Sequence, residues 1–278
     1  MNRRARAFTL ALGTVAALAA AFGTAAQDQA AEETGAAVED EAAVEDPRFN
    51  VPPDPGYFDL RRITPITGDP ARGESRSELC TACHGQDGIS IVPIYPDIAG
   101  QKADYMYWQL RKFKDAGFGD TVMAVAVEEL SEQDMRDLSL YYAGLPAAGS
   151  PPEPAEAEEA AADDGTEASP DPALLARGEQ LYLHGDPAAG IPPCQACHGG
   201  DARGHPGAQS VDAGGFTPYA AYPSLRGQRE DYLKTRIAEY QEGKHTTLTT
   251  DFVMIGAARN LDPASVDALA AWLSSLPH

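Results

Sequence analysis

The sequence predicts an all-α protein: two small domains in tandem, joined by a disordered acidic linker. Three observations predict it. The chain repeats itself, in the same order, across its two halves. In both halves apolar residues recur at helical spacing behind helix-capping residues, and no convincing alternating strand is present. Two acidic tracts too polar to fold interrupt the pattern. A length of 278 residues suits about two domains.

The first element is a leader. Arg3, Arg4 and Arg6 precede an uncharged, alanine-rich stretch from Ala7 to Gln27, and Thr24–Ala26 supplies small residues for cleavage. Residues 1–26 read as a secretory signal peptide, which makes the expected location the periplasm. The competing reading is an uncleaved single-span anchor on the periplasmic face of the inner membrane. Its alanines and glycines make that span only weakly apolar.

Residues 27–50 hold eight acids against one arginine and read as a disordered tract. Residues 147–172 hold eight acids and no base among prolines and alanines, and read as a disordered linker. The formal charge of −21 argues against nucleic acid as a partner and favours basic surfaces. More than half of the charge left after removal of the leader sits on these two tracts.

The remaining segments, 51–146 and 173–278, are the two domains. The first carries "ARGE" from Ala71, "CTACHG" from Cys80, "YPDIAGQKADYMYWQL" from Tyr95, Met123, and "LSEQDMRDLSLYYAGLP" from Leu130. The second carries "ARGE" from Ala176, "CQACHG" from Cys194, "YPSLRGQREDYLKTRI" from Tyr222, Met254, and "LDPASVDALAAWLSSLP" from Leu261. The second copy is longer by Gly-, Pro- and Ala-rich insertions, which read as loops. Ser131 followed by Asp134 resembles a capping box, and Asp262 before Pro263 is a good N-cap. Behind them Met135, Leu138, Tyr142 and Leu145 share one helix face, as do Val266, Leu269, Leu273 and Leu276. A further helix follows each "GQ" pair, through Tyr105 and Phe113 in one copy and Tyr232 and Tyr240 in the other.

All four cysteines fall in C-x-x-C-H motifs: Cys80, Cys83 and His84, then Cys194, Cys197 and His198. Thiols three apart share a helix face and can each add to one vinyl group of a haem, with the adjacent histidine reaching the iron. This predicts two covalently bound haem c groups. Paired zinc-binding C-x-x-C motifs are usually about 15 to 20 residues apart. Here 110 residues intervene between Cys83 and Cys194, in separate repeats. A disulfide within each motif would leave the histidines unexplained.

The other axial position needs a ligand. Met123 and Met254 stand at equivalent places, each seven residues before a leucine, and a thioether suits ferrous haem iron. Core packing is the alternative role for any methionine. His184, His205, His245 and His278 have no counterpart in the first half, and His245, close before Met254, is the rival ligand. A backbone carbonyl is the expected acceptor for each proximal imidazole.

These residues, in this order, resemble the cytochrome c4 family, diheme proteins of two fused class I cytochrome c domains. The likeness covers residues 66 to 146 and 173 to 277. It implies His84 and Met123 as iron ligands of one haem and His198 and Met254 of the other. It also implies Pro96 and Pro223 as the prolines whose carbonyls face the proximal histidines. Its implied function is periplasmic transfer of single electrons, from a quinol-oxidising cytochrome complex to a terminal oxidase. The implied partners are redox proteins or membrane respiratory complexes. The chain departs from the family in its long linker, its acidic N-terminal tract and the loop from Gly204 to Pro218. Two other classes are weighed against a carrier: the haem subunit of a periplasmic dehydrogenase, such as a sulfide-oxidising flavocytochrome, and an enzyme, such as a diheme peroxidase or a thiosulfate-oxidising cytochrome. Both axial positions filled at both irons disfavours an enzyme, and no spare cysteine exists for a His/Cys site.

Overall fold

The computed structural model describes residues 58–115, 121–147 and 171–277, all within one compact unit, Val51–His278. The expected leader (1–26), the acidic tract (27–50), His278 and all but the ends of the linker (147–172) lie outside the described residues.

Ten α-helices follow one short 3-10 turn, Leu60–Arg62, among the described residues. In the first repeat they are α1 (Pro70–Arg76), α2 (Glu78–His84), α3 (Ala103–Asp115), α4 (Val122–Val127) and α5 (Glu132–Gly144). The second repeat supplies α6 (Pro172–His184), α7 (Gln195–His198), α8 (Glu230–Gln241), α9 (Thr249–Ala258) and α10 (Pro263–Ser275), in the same order. The only extended pairings among the described residues are two isolated bridges, Phe58 with Leu248 and Asp186 with Ile191. None of the described helices is long and apolar enough to cross a membrane.

The caps fix where helices begin. Asp69 and Asp171 each accept a hydrogen bond from the second helical residue, ahead of Pro70 and Pro172. Ser131 and Asp134 form the expected capping box, and Asp262 caps Ser265 N at 2.7 Å. The predicted faces of α5 and α10 are inward: Met135, Leu138, Tyr142, Leu269 and Leu273 are buried.

In each repeat the first helix crosses the last at a glycine. A Cβ on Gly73 would lie 2.2 Å from Asp137 O, and one on Gly178 would lie 2.1 Å from Ala268 O. Only a residue without a side chain permits these backbones to approach so closely. This is the physical content of the repeated "ARGE". The crossings brace α5 and α10 behind the C-x-x-C-H segments.

The two repeats are joined by more than their linker. Residues 58–63 form a strap between the repeats, with Phe58 against Trp108 of α3 and the backbone along the second repeat. Phe58 N donates to Thr247 O at 2.7 Å, and Thr249 N donates back to Phe58 O at 3.1 Å. Leu60 N donates to Thr249 Oγ1. Leu60 and Ile63 are buried against Ala220, Ala221 and Leu248. Thr217, at the end of an inserted loop of the second repeat, donates its N–H to Ile63 O at 2.8 Å. Lys112 of α3 and Asp251 of α9 form an ion pair at 2.9 Å, both side chains 1% exposed. The insertions read from sequence as plain loops therefore help to build the contact between repeats.

Candidate haem sites

Each C-x-x-C-H segment ends a helix. Cys80, Cys83 and His84 lie on α2; Cys197 and His198 lie on α7, with Cys194 as its N-cap. Gly85 and Gly199 stop these helices at φ +78°. That left-handed turn suits glycine and swings the chain away from the histidine.

Both histidines are buried, and each points one ring nitrogen at a proline carbonyl. His84 Nδ1 lies 2.9 Å from Pro96 O, and His198 Nδ1 lies 3.1 Å from Pro223 O. A carbonyl is only an acceptor, so Nδ1 carries the proton and Nε2 is left with its lone pair. Burial pushes both imidazoles below the usual histidine range, while the proline carbonyls pull the other way.

One cavity of about 580 Å³ is lined by both sets of residues: Cys80, Cys83, His84 and Met123, and Cys194, Cys197, His198 and Met254. Met123 lies on α4 and Met254 on α9, the helices between the middle and last helices of each repeat. Two thiols, a neutral imidazole and a thioether face a shared, mainly apolar space on each side. His198 Nε2 is buried with no protein partner. A polar atom so placed costs about 1–3 kcal/mol unless a ligand occupies it, and a haem iron is such a ligand. The residues present fit haem c, and the chain binds two haem c groups covalently through Cys80, Cys83, Cys194 and Cys197.

The rival histidine is elsewhere. His245 is buried but does not line the cavity; its Nε2 lies 2.9 Å from Glu239 Oε2 and 2.7 Å from Arg236 Nη1. Burial first, then the Lys112 and Arg236 cations, push its pKa down to about 4. His184 is exposed at the end of α6, and His205 stacks on Tyr219 with ring centroids 4.0 Å apart.

Sequence reasoning missed the groups between the sites. The "GQ" glutamines, Gln101 and Gln228, are buried and cross from one repeat to the other. Gln101 accepts from Ser224 N and donates to Ser224 O; Gln228 accepts from Asp97 N and donates to Asp97 O, all at 2.9 Å. Arg229 Nε also donates to Asp97 Oδ1 at 3.0 Å. Tyr105, Tyr232 and Arg236 line the same cavity. The signal for the glutamines was present, because "GQ" stands at the same place in both repeats.

A family profile described as cytochrome c matches residues 175–277. The chain is 33% identical over 214 residues to cytochrome c4 of Thiocapsa roseopersicina, covering 76% of this chain and 95% of the relative. It is 31% identical over 199 residues to a thiosulfate dehydrogenase electron acceptor of Thiomonas intermedia, covering 71% and 78%. Its structure is similar to that of reduced recombinant cytochrome c4 from Pseudomonas stutzeri. That match has a TM-score of 0.59 at 27% identity and covers 76% of this chain and all of the other.

Proposed function

The chain belongs to the cytochrome c4 family of electron-transfer cytochromes, and from that premise we propose that it carries single electrons between respiratory complexes in the periplasm. The donor on this reading is a quinol-oxidising cytochrome complex and the acceptor a terminal oxidase. His84 with Met123, and His198 with Met254, are the axial iron ligands. Residues 51–146 and 173–278 are the haem domains, 147–172 connects them, and 1–26 is the export signal.

The observation that carries this is the shared cavity, where each imidazole, oriented by a proline carbonyl, faces the same space as one methionine. The haem iron supplies a one-electron ferric/ferrous couple. His84 with Met123 and His198 with Met254 would hold the two irons, while apolar walls exclude water and the proline carbonyls hold each imidazole in one tautomer. A site with no open position favours electron transfer over substrate chemistry.

The test is a redox titration of the purified protein combined with ligand-binding spectroscopy. Two low-spin centres of positive potential that ignore carbon monoxide and peroxide are expected. A high-spin centre or rapid peroxide turnover would move the assignment to the enzyme class. Likeness to a thiosulfate dehydrogenase electron acceptor favours a second reading, in which the donor is a periplasmic sulfur-oxidising dehydrogenase. Co-purification with such an enzyme, and faster reduction by it than by a quinol-oxidising complex, would select that reading.

A further inference from the structure

We propose that each proximal histidine is tuned from the opposite repeat, by a glutamine acting through a single peptide unit. The inference rests on His84 and His198 being iron ligands, as argued above.

His84 Nδ1–H donates to Pro96 O at 2.9 Å. That carbonyl belongs to the same peptide group as Asp97 N–H, which donates to Gln228 Oε1 of the second repeat at 2.9 Å. On the other side His198 Nδ1–H donates to Pro223 O at 3.1 Å, and Ser224 N–H of that peptide donates to Gln101 Oε1 of the first repeat at 2.9 Å. The two relays are equivalent in the repeat and run in opposite directions across the contact.

The glutamine orientations are fixed by their partners. Each Oε1 also accepts from the next backbone N–H of its own repeat, Lys102 or Arg229, at 2.9 Å. Each Nε2 donates to a carbonyl across the contact, Ser224 O or Asp97 O. A flipped amide would set N–H against N–H and oxygen against oxygen. Gln101 is 8% exposed and Gln228 6%, so water does not compete for these bonds.

A hydrogen bond accepted at one end of a peptide and donated at the other polarises the group, so each bond strengthens the other. A glutamine oxygen on the N–H makes the proline carbonyl a better acceptor. The imidazole then gains electron density and becomes a stronger iron ligand, which favours the ferric state and lowers the reduction potential. Loss of a glutamine therefore raises the potential of the haem in the repeat to which that glutamine does not belong. A glutamine that only glued the repeats together would not select the opposite site.

The test uses the full-length holoprotein, each variant checked by mass for two covalent haem groups. Gln228→Met and Gln101→Met remove one relay each. Two readouts are taken: the potential of each haem, assigned through its own methionine methyl resonance, and the Nδ1–H resonances of His84 and His198 in the reduced, diamagnetic protein. Gln228→Met is expected to raise the potential of the His84 site and move the His84 Nδ1–H upfield, leaving the His198 site unchanged. Gln101→Met is expected to do the converse. Gln228→Asn keeps the amide but draws its oxygen back by one methylene, and is expected to move the His84 Nδ1–H upfield by less than the methionine variant does, which covers the case in which that variant does not fold. Shifts confined to the glutamine's own repeat, equal shifts at both sites, or no shift would overturn the proposal. Absence of histidine–methionine signatures from the wild-type protein would instead overturn the axial assignment, and the relay with it.

Discussion

Replacing Lys112 by methionine probes the contact between repeats most directly. The Lys112 ammonium sits 2.9 Å from Asp251 Oδ1, with both side chains 1% exposed. Burial pushes the lysine pKa down, and Asp251 pulls it back up. Removing one partner of a buried pair costs about 3–5 kcal/mol, because a charge is left uncompensated. Asp251 keeps two backbone donors on its other oxygen, Thr247 N at 3.0 Å and Leu248 N at 2.9 Å. The cost therefore belongs at the low end, about 3 kcal/mol. Urea unfolding at pH 7, followed by the haem band and far-ultraviolet dichroism, measures it. With a slope of about 2 kcal/mol/M, the midpoint falls by roughly 1.5 M. Urea leaves ionic strength free, so the experiment is repeated in 1 M NaCl. A pair shielded from solvent is little screened, and the loss should persist. Adding Asp251→Leu should cost less than the sum of the two single changes. A loss below about 1 kcal/mol, or one that vanishes in high salt, would show the pair to be an ordinary solvated one.

Three further outcomes are expected. Gly178→Ala puts a methyl 2.1 Å from Ala268 O and 2.6 Å from Trp272 Cβ, so α6 and α10 must separate; thermal unfolding should show a loss of about 1–3 kcal/mol or more. His245, with its folded pKa pushed down to about 4, is neutral in the folded protein, whereas the unfolded chain takes up its proton near pH 6.5. Its contribution is fully present above that value and is lost as pH falls from about 6.5 to about 4, at most about 3 kcal/mol; urea midpoints across this range should lose that slope in His245→Gln. Met123→Ala and Met254→Ala should each remove about half of the iron–methionine charge-transfer absorption. A Met254→Ala spectrum like the wild type's, with His245→Ala altering it instead, would refute the second-site ligand.

Much of this was legible because the signals are local. The C-x-x-C-H motifs, the capping pairs Ser131–Asp134 and Asp262–Pro263, and the faces of α5 and α10 each lie within a few turns of chain, where spacing alone decides geometry. Pro96 and Pro223 came from family resemblance, and the structure supplies the contacts, at 2.9 and 3.1 Å from the imidazoles. The contact between repeats was not legible. Lys112 reads as one more residue on a helix face, and its partner lies 139 positions away. Nothing near Leu60 or Ile63 announces a neighbour beyond residue 216. The glutamines were seen only as a marker before a helix, because one sequence does not say which backbone an amide will meet.

The strap at residues 58–63 has a consequence for the order in which the protein is made. Its bond from Leu60 to Thr249 closes a loop of 189 positions, and such distant contacts carry a large closure entropy and form late. Synthesis runs from the N-terminus, so Leu60 and Ile63 wait, without their apolar partners Ala220, Ala221 and Leu248, until most of the chain exists. The first repeat can close α1 onto α5 meanwhile, since Gly73 and Asp137 lie close in sequence by comparison. Joining of the halves is therefore expected to follow closure of the first repeat, and refolding kinetics with separate phases for the two steps would check it. In a chain truncated before Ala220, Leu60 and Ile63 would lack the apolar neighbours Ala220, Ala221 and Leu248.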